Sequence, residues 1–165
     1  MKILPQEATG GCLCGAVRYR TNGAPLSTLF CHCDSCRKHT GAPVVALAGY
    51  RRDRVTYTRG QPEVYKTDDG VGRAFCAQCG TPLTWEGDGG EEGPLVELHI
   101  GTMDEPNMFP PECHIHHGER LKWFETVDGL PRYLVWHDDG DAPYRHSPAS
   151  LETVTESSSH KGGNP

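Results

Sequence analysis

Seven of the eight cysteines fall into three tight groups: Cys12 and Cys14; Cys31, Cys33 and Cys36; Cys76 and Cys79. Thiolates at such spacings are ligands for a borderline-soft cation, zinc above all. A closed structural zinc site takes four of them. A reactive one takes three protein ligands and keeps a position for water or substrate. Seven divides into four plus three, so the count points to two ions with different tasks. Gly10, Gly11 and Gly15 around the first group and Gly80 after the last relieve the tight turns that bring paired sulfurs together. A disulfide framework is the competing use of cysteine. The odd number within the groups argues against it, as does a start, Met1-Lys2-Ile3-Leu4-Pro5, that lacks a secretion-type apolar stretch. A redox pair at Cys76 and Cys79 would need a βαβ surround, and the pattern offers none. Spacing leaves the partition open. Cys33 and Cys36 with Cys76 and Cys79 would also satisfy a zinc ribbon, stranding Cys12, Cys14 and Cys31.

The remaining chain must position these groups, and its pattern is mainly β. At 165 residues, with 20 Gly, 13 Pro and 36% hydrophobic residues, it predicts one domain of short strands and many turns. Residues 16–21 alternate apolar and polar side chains, and 44–48 read as a buried strand. Residues 55–58 and 63–66 predict a hairpin across Arg59-Gly60-Gln61-Pro62. Strands at 73–75 and 82–85 run into and out of the third cysteine group, and 95–100 carries the strongest strand signal of the second half. Residues 34–39 suit a single helical turn, and 104–109 a loop or short helical turn. Residues 86–93 contain only Gly, Asp and Glu and read as an exposed acidic loop. From Asp138 onward the composition cannot bury enough apolar surface to offset ordering entropy, so 1–137 reads as the domain and 138–165 as a flexible, disordered tail. A formal charge of −6 argues against a nucleic-acid partner, and no apolar run approaches a membrane span. A reducing, cytoplasmic setting is the expectation.

Three strings carry a resemblance to a known family: Gly10-Gly-Cys-Leu-Cys-Gly-Ala-Val-Arg-Tyr19, Cys31-His-Cys-Asp-Ser-Cys-Arg-Lys-His-Thr-Gly41 and Phe75-Cys-Ala-Gln-Cys-Gly-Thr-Pro-Leu83. Together with His99-Ile-Gly-Thr-Met-Asp104 and Gly129-Leu-Pro-Arg-Tyr133, they closely resemble the glutathione-dependent formaldehyde-activating enzymes over residues 10 to about 136. The resemblance implies an Mss4-like, β-rich single domain with two zinc sites. Carried over motif by motif, Cys12, Cys14, Cys76 and Cys79 form the structural site, and Cys31, Cys33 and Cys36 the catalytic one. The implied activity is that of a carbon–sulfur lyase, joining glutathione to formaldehyde as S-hydroxymethylglutathione. A small-molecule thiol, glutathione for the named enzyme, is then the expected partner. A non-enzymatic, zinc-stabilised β-domain that binds a protein partner is the alternative.

Around the three-cysteine group, Arg37, Lys38 and His39 could draw carboxylates of a thiol ligand. His32, between two cysteines, is expected to face outward or to donate a hydrogen bond behind the site. His99 reads as a core histidine and Asp104 as a turn-former. Cys113 opens Cys113-His-Ile-His-His117. On an extended strand Cys113, Ile115 and His117 would share one face, with His114 and His116 on the other. Cys113 reads as a buried or free thiol, although a ligand from this segment would close the second site. Trp123, Phe124, Tyr133 and Trp136 are expected in the core or a pocket wall.

Overall fold

The structure is a computed structural model that describes residues 4–137 and Pro143. The expected tail lies outside these residues, Pro143 apart. Short alternating segments form ten strands: β1 (Thr9–Gly11), β2 (Arg18–Thr21), β3 (Ser27–Cys31), β4 (Val45–Arg51), β5 (Val55–Arg59), β6 (Glu63–Lys66), β7 (Gly72–Phe75), β8 (Pro82–Asp88), β9 (Pro94–His99) and β10 (Cys113–Ile115). The one α-helix among the described residues is α1 (Asp34–Thr40). The strands build a three-stranded sheet, β1-β2-β5, and a seven-stranded sheet, β10-β3-β4-β9-β8-β7-β6. Every pairing is antiparallel except β10 with β3. The mainly β expectation holds.

The hairpin expected across residues 59–62 does not form. β5 pairs with β2 in the small sheet, and β6 pairs with β7 at the edge of the large one. Burial decides this. β5 buries Val55 and half-buries Tyr57, whereas β6 is exposed at all four positions and suits an edge. Pro62, lacking an N–H, does not help to zip a hairpin. The expected acidic loop is also shorter than predicted. β8 continues through Asp88, leaving a 3-10 turn at Gly90–Glu92 that an Arg51–Glu92 ion pair of 2.8 Å pins to β4.

Side-chain alternation gives the large sheet two different faces. Ala48, Tyr50, Val96 and Leu98 point to the small sheet and, with Tyr19, Leu83, Met103 and Phe109, make the main core. The opposite face carries a second cluster, Leu29, Val45, Leu47 and Ile115 with Cys31 and Cys36. It also carries a row that runs across four strands, Gly49, Glu97, Trp85 and Arg73, each residue opposite the next in register. That row faces the site.

Candidate metal centres

Cys12 and Cys14 follow β1, and Cys76 and Cys79 follow β7, so each pair sits in a turn at the end of a different sheet. The turns are built alike. Gly15 N–H donates to Cys12 O at 3.0 Å, and Gly80 N–H donates to Cys76 O at 2.8 Å. Both glycines take positive φ, 76° and 73°, which a side chain would disfavour. The Cys12 and Cys14 sulfurs lie 3.5 Å apart, and those of Cys14 and Cys76 3.8 Å. All four fall within 4.8 Å of one another. Tetrahedral zinc with bonds of about 2.3 Å has sulfur–sulfur edges of about 3.8 Å, so this set fits the ion. Val17 N–H donates to Cys12 Sγ at 3.2 Å, and the Thr81 hydroxyl lies 3.1 Å from Cys79 Sγ. Such bonds favour thiolate. The Thr81 contacts, with the Cys14 backbone behind them, pull Cys79 down to about 5.

The second set is Cys31, Cys33 and Cys36, again within 4.8 Å. Cys31 ends β3. Cys33 caps α1, its sulfur accepting from Cys36 N–H at 3.3 Å, and Gly41 closes the helix in the left-handed region. The helix start thus points two sulfurs the same way. Arg73 Nη1 donates to Cys36 Sγ at 3.6 Å. Hydrogen bonds from Cys31 and Cys33, with Arg73 behind them, hold Cys36 down to about 3, while the contacts with Cys33 and Cys36, and burial, push Cys31 up. The set readily surrenders one proton alone, and a dication is what would drive off the others. Its donors are soft and its spread suits zinc.

Cys31, Cys33 and Cys36 line a cavity of about 490 Å³, whose floor is Glu97, Trp85 and Arg73 and whose wall includes Trp136. None of the four-sulfur set lines it. Sequence reasoning overlooked Glu97 and Arg73 as site residues. Each is one charge in an apolar strand pattern, and only the register places them together. Burial raises the Glu97 carboxyl to about 7, with the charge of Cys33 adding to the effect and Arg73 opposing it.

The expected cations are elsewhere. Arg37 donates to the His32 and Glu119 carbonyls and to Asp34; Lys38 pairs with Asp34 at 2.8 Å; His39 packs against His99. None lines the cavity. His99 is buried, as a core histidine should be, and burial lowers it to about 3. Asp104 accepts from Thr9 and pairs with Arg18, tying the small sheet to the turn after β9. Trp136 is a cavity wall as expected, but Trp123 is 74% exposed.

His32 does not face outward. It is buried with His114 and His117 behind the cysteines. Asp128 accepts from Arg132 at 3.0 Å and from His114 Nε2–H at 2.8 Å, which leaves His114 Nδ1 to accept from His32 Nε2–H at 2.8 Å. His32 Nδ1 then carries a lone pair, with no hydrogen-bond partner among the described residues. The expected alternation along 113–117 fails at His116, which takes φ 50°, held by Glu119 at 3.0 Å. The chain turns there, and His117 joins His114 in the interior. Cys113, like Cys33 and Trp136, packs against the second cluster, but it does not belong to the close set of three sulfurs.

The fold and the two thiol sets define a mainly β protein with two sites whose donors fit a metal ion. The chain belongs to the glutathione-dependent formaldehyde-activating enzyme family, whose pattern it matches over residues 7–119. It is similar to an uncharacterized lyase of Schizosaccharomyces pombe, at 29% identity over 77 residues, covering 47% of this chain and 56% of that protein. The chain thus spans about half the length of the curated relative it matches. It is also similar to a Rhodobacter sphaeroides protein of known crystal structure, at 21% identity and a TM-score of 0.48, covering 58% of this chain and 87% of the other.

Proposed function

We propose that this chain is a zinc-dependent carbon–sulfur lyase, or synthase in the reverse direction, acting on thiol adducts of a small carbonyl compound. In this reading residues 1–137 are one domain with two zincs. Cys12, Cys14, Cys76 and Cys79 hold the structural ion, and Cys31, Cys33 and Cys36 the reactive one. The observation that carries it is that the three-sulfur set lines the cavity and the four-sulfur set does not.

A zinc ion on three thiolates would hold an incoming thiol as thiolate, the nucleophilic form. In the synthetic direction the sulfur electron pair forms the carbon–sulfur bond, and the carbonyl oxygen gains a proton. In the lyase direction the hydroxyl loses that proton, the carbonyl re-forms and the carbon–sulfur bond breaks. The chain's own groups prepare this. Arg73, 3.6 Å from Cys36 Sγ, offsets one thiolate charge, so the set tolerates another sulfur. Trp85, Leu95, Ile115 and Trp136 supply apolar wall that limits water. Glutathione with formaldehyde is the pair for which the family is named.

Exchange NMR of a thiol and formaldehyde, with and without zinc-loaded protein, tests the proposal. Interconversion of free thiol and hydroxymethyl adduct is expected to speed up, and Cys36→Ser to abolish the gain. Exchange at the uncatalysed rate with both zincs bound would remove the lyase reading in favour of a zinc-stabilised binding domain.

A further inference from the structure

The cavity has the wrong charge for a dicarboxylate. Among the described residues, Asp88, Glu92 and Glu97 line it against a single arginine, Arg73, which is turned to Cys36. Glu92 is met by Arg51, and Asp88 accepts from the Gly90 N–H at 3.0 Å. Glu97 differs from both. It is 5% exposed, lines the cavity, and its carboxyl group forms no hydrogen bond or ion pair among the described residues. Its partners across the sheet are Gly49 and Trp85, and neither offers it a side-chain cation. Gly49 leaves no room for a side chain beside Glu97, since a Cβ there would meet Ser27 Oγ at 2.8 Å. A buried carboxylate without a donor is costly, and a ligand that brings a positive donor removes the cost.

We propose that Glu97 is the specificity-determining group for an ammonium on the thiol ligand, so that the cavity selects small aminothiols over thiols whose free end is neutral or anionic. Trp85, next in register, adds aromatic surface beside the same cation. The proposal rests on the reading of Cys31, Cys33 and Cys36 as a thiol-binding site. It goes further in replacing the carboxylate clamp, which Arg37, Lys38 and His39 do not form, by recognition of a cation.

Tryptophan emission reports occupancy directly, because Trp85 and Trp136 line the cavity. Zinc-loaded protein is titrated with cysteamine and with 2-mercaptoethanol, in the natural chain and in Glu97→Gln, with zinc content and melting temperature measured for both. Cysteamine should lose about tenfold or more in affinity in the variant, the scale of one charge-assisted hydrogen bond, while 2-mercaptoethanol changes by less than about twofold. Equal losses for the two thiols, or no loss for cysteamine, would overturn the proposal. Should Glu97→Gln not fold, thiocholine decides it in the natural protein. It carries the same charge without an N–H, so it should bind more weakly than cysteamine despite its more acidic thiol; equal or tighter binding overturns the proposal. Failure of the lyase reading looks different. Glu97-dependent binding without faster adduct exchange removes the lyase and keeps the docking group; faster exchange without the Glu97 effect does the reverse; no binding by any thiol removes both.

Discussion

The two thiol sets use the same donor in opposite surroundings. The set of Cys12, Cys14, Cys76 and Cys79 joins two sheets, takes two sulfurs from each, and is supported by backbone amides and Thr81. The set of Cys31, Cys33 and Cys36 comes from one strand end and the helix that follows it, with Arg73 beside it, buried histidines behind it and a cavity in front. Losing the first is expected to loosen the join between the two sheets, whereas losing the second is expected to leave both sheets in place. The number of sulfurs matters less than the elements they join.

The largest expected effect follows directly. Cys12→Ser or Cys76→Ser should abolish cooperative thermal unfolding followed by circular dichroism, because the affinity of a metal ion held at that junction would be folding free energy. Cys36→Ser should melt cooperatively and hold one metal ion rather than two by elemental analysis. Cooperative melting of Cys76→Ser with both metals bound would break the contrast.

A smaller effect separates the supports. Asp128→Ala leaves Arg132 and His114 without their shared acceptor, and should cost about 2–3 kcal/mol in urea unfolding. The loss of metal should fall on the cavity side, visible as one fast-exchanging and one slow-exchanging ion.

Acid should act on the same side. Burial lowers His99 and His117 to about 3, so both are neutral in the fold and take up protons when unfolded. Their contribution is complete above a pH of about 6.5 and is lost as pH falls from there towards about 3, at up to about 1.4 kcal/mol per pH unit for each. Denaturant unfolding at pH 7.5, 6 and 5, with metal content measured at each, should show this decline. A flat profile with both metals retained would contradict it.

The smallest effect belongs to the four-thiol junction. The Thr81 hydroxyl accepts from Leu13 N–H at 3.1 Å and lies against Cys79 Sγ. Thr81→Val should cost about 1 kcal/mol by thermal melting and leave the cavity-side metal unchanged.

The sequence made the thiol groups plain, because short-range spacing and flanking glycines are local signals. It also made plain most strands, which alternate locally. What it hid depends on register and long-range pairing. β5 and β6 look like hairpin partners until the burial of Val55 and Tyr57 assigns β5 to the other sheet. Arg73, Trp85 and Glu97 are far apart in sequence and become neighbours only across β7, β8 and β9. The turn at His116 reverses a face that a regular strand would have kept. Proximity in sequence suits Arg37 and Lys38 to a ligand, but the helix aims them at Asp34 and the segment near Glu119.

The four-thiol junction also bears on the chain before it folds. Its Cys14 and Cys76 sulfurs are 62 residues apart in sequence. A metal ion gripping both turns in a loose chain would close a loop of that length, removing roughly 4 kcal/mol worth of disorder from the unfolded ensemble by the relation for cross-linked loops. Metal capture there would be an early topological event, bringing the ends of the two sheets together before their faces have packed.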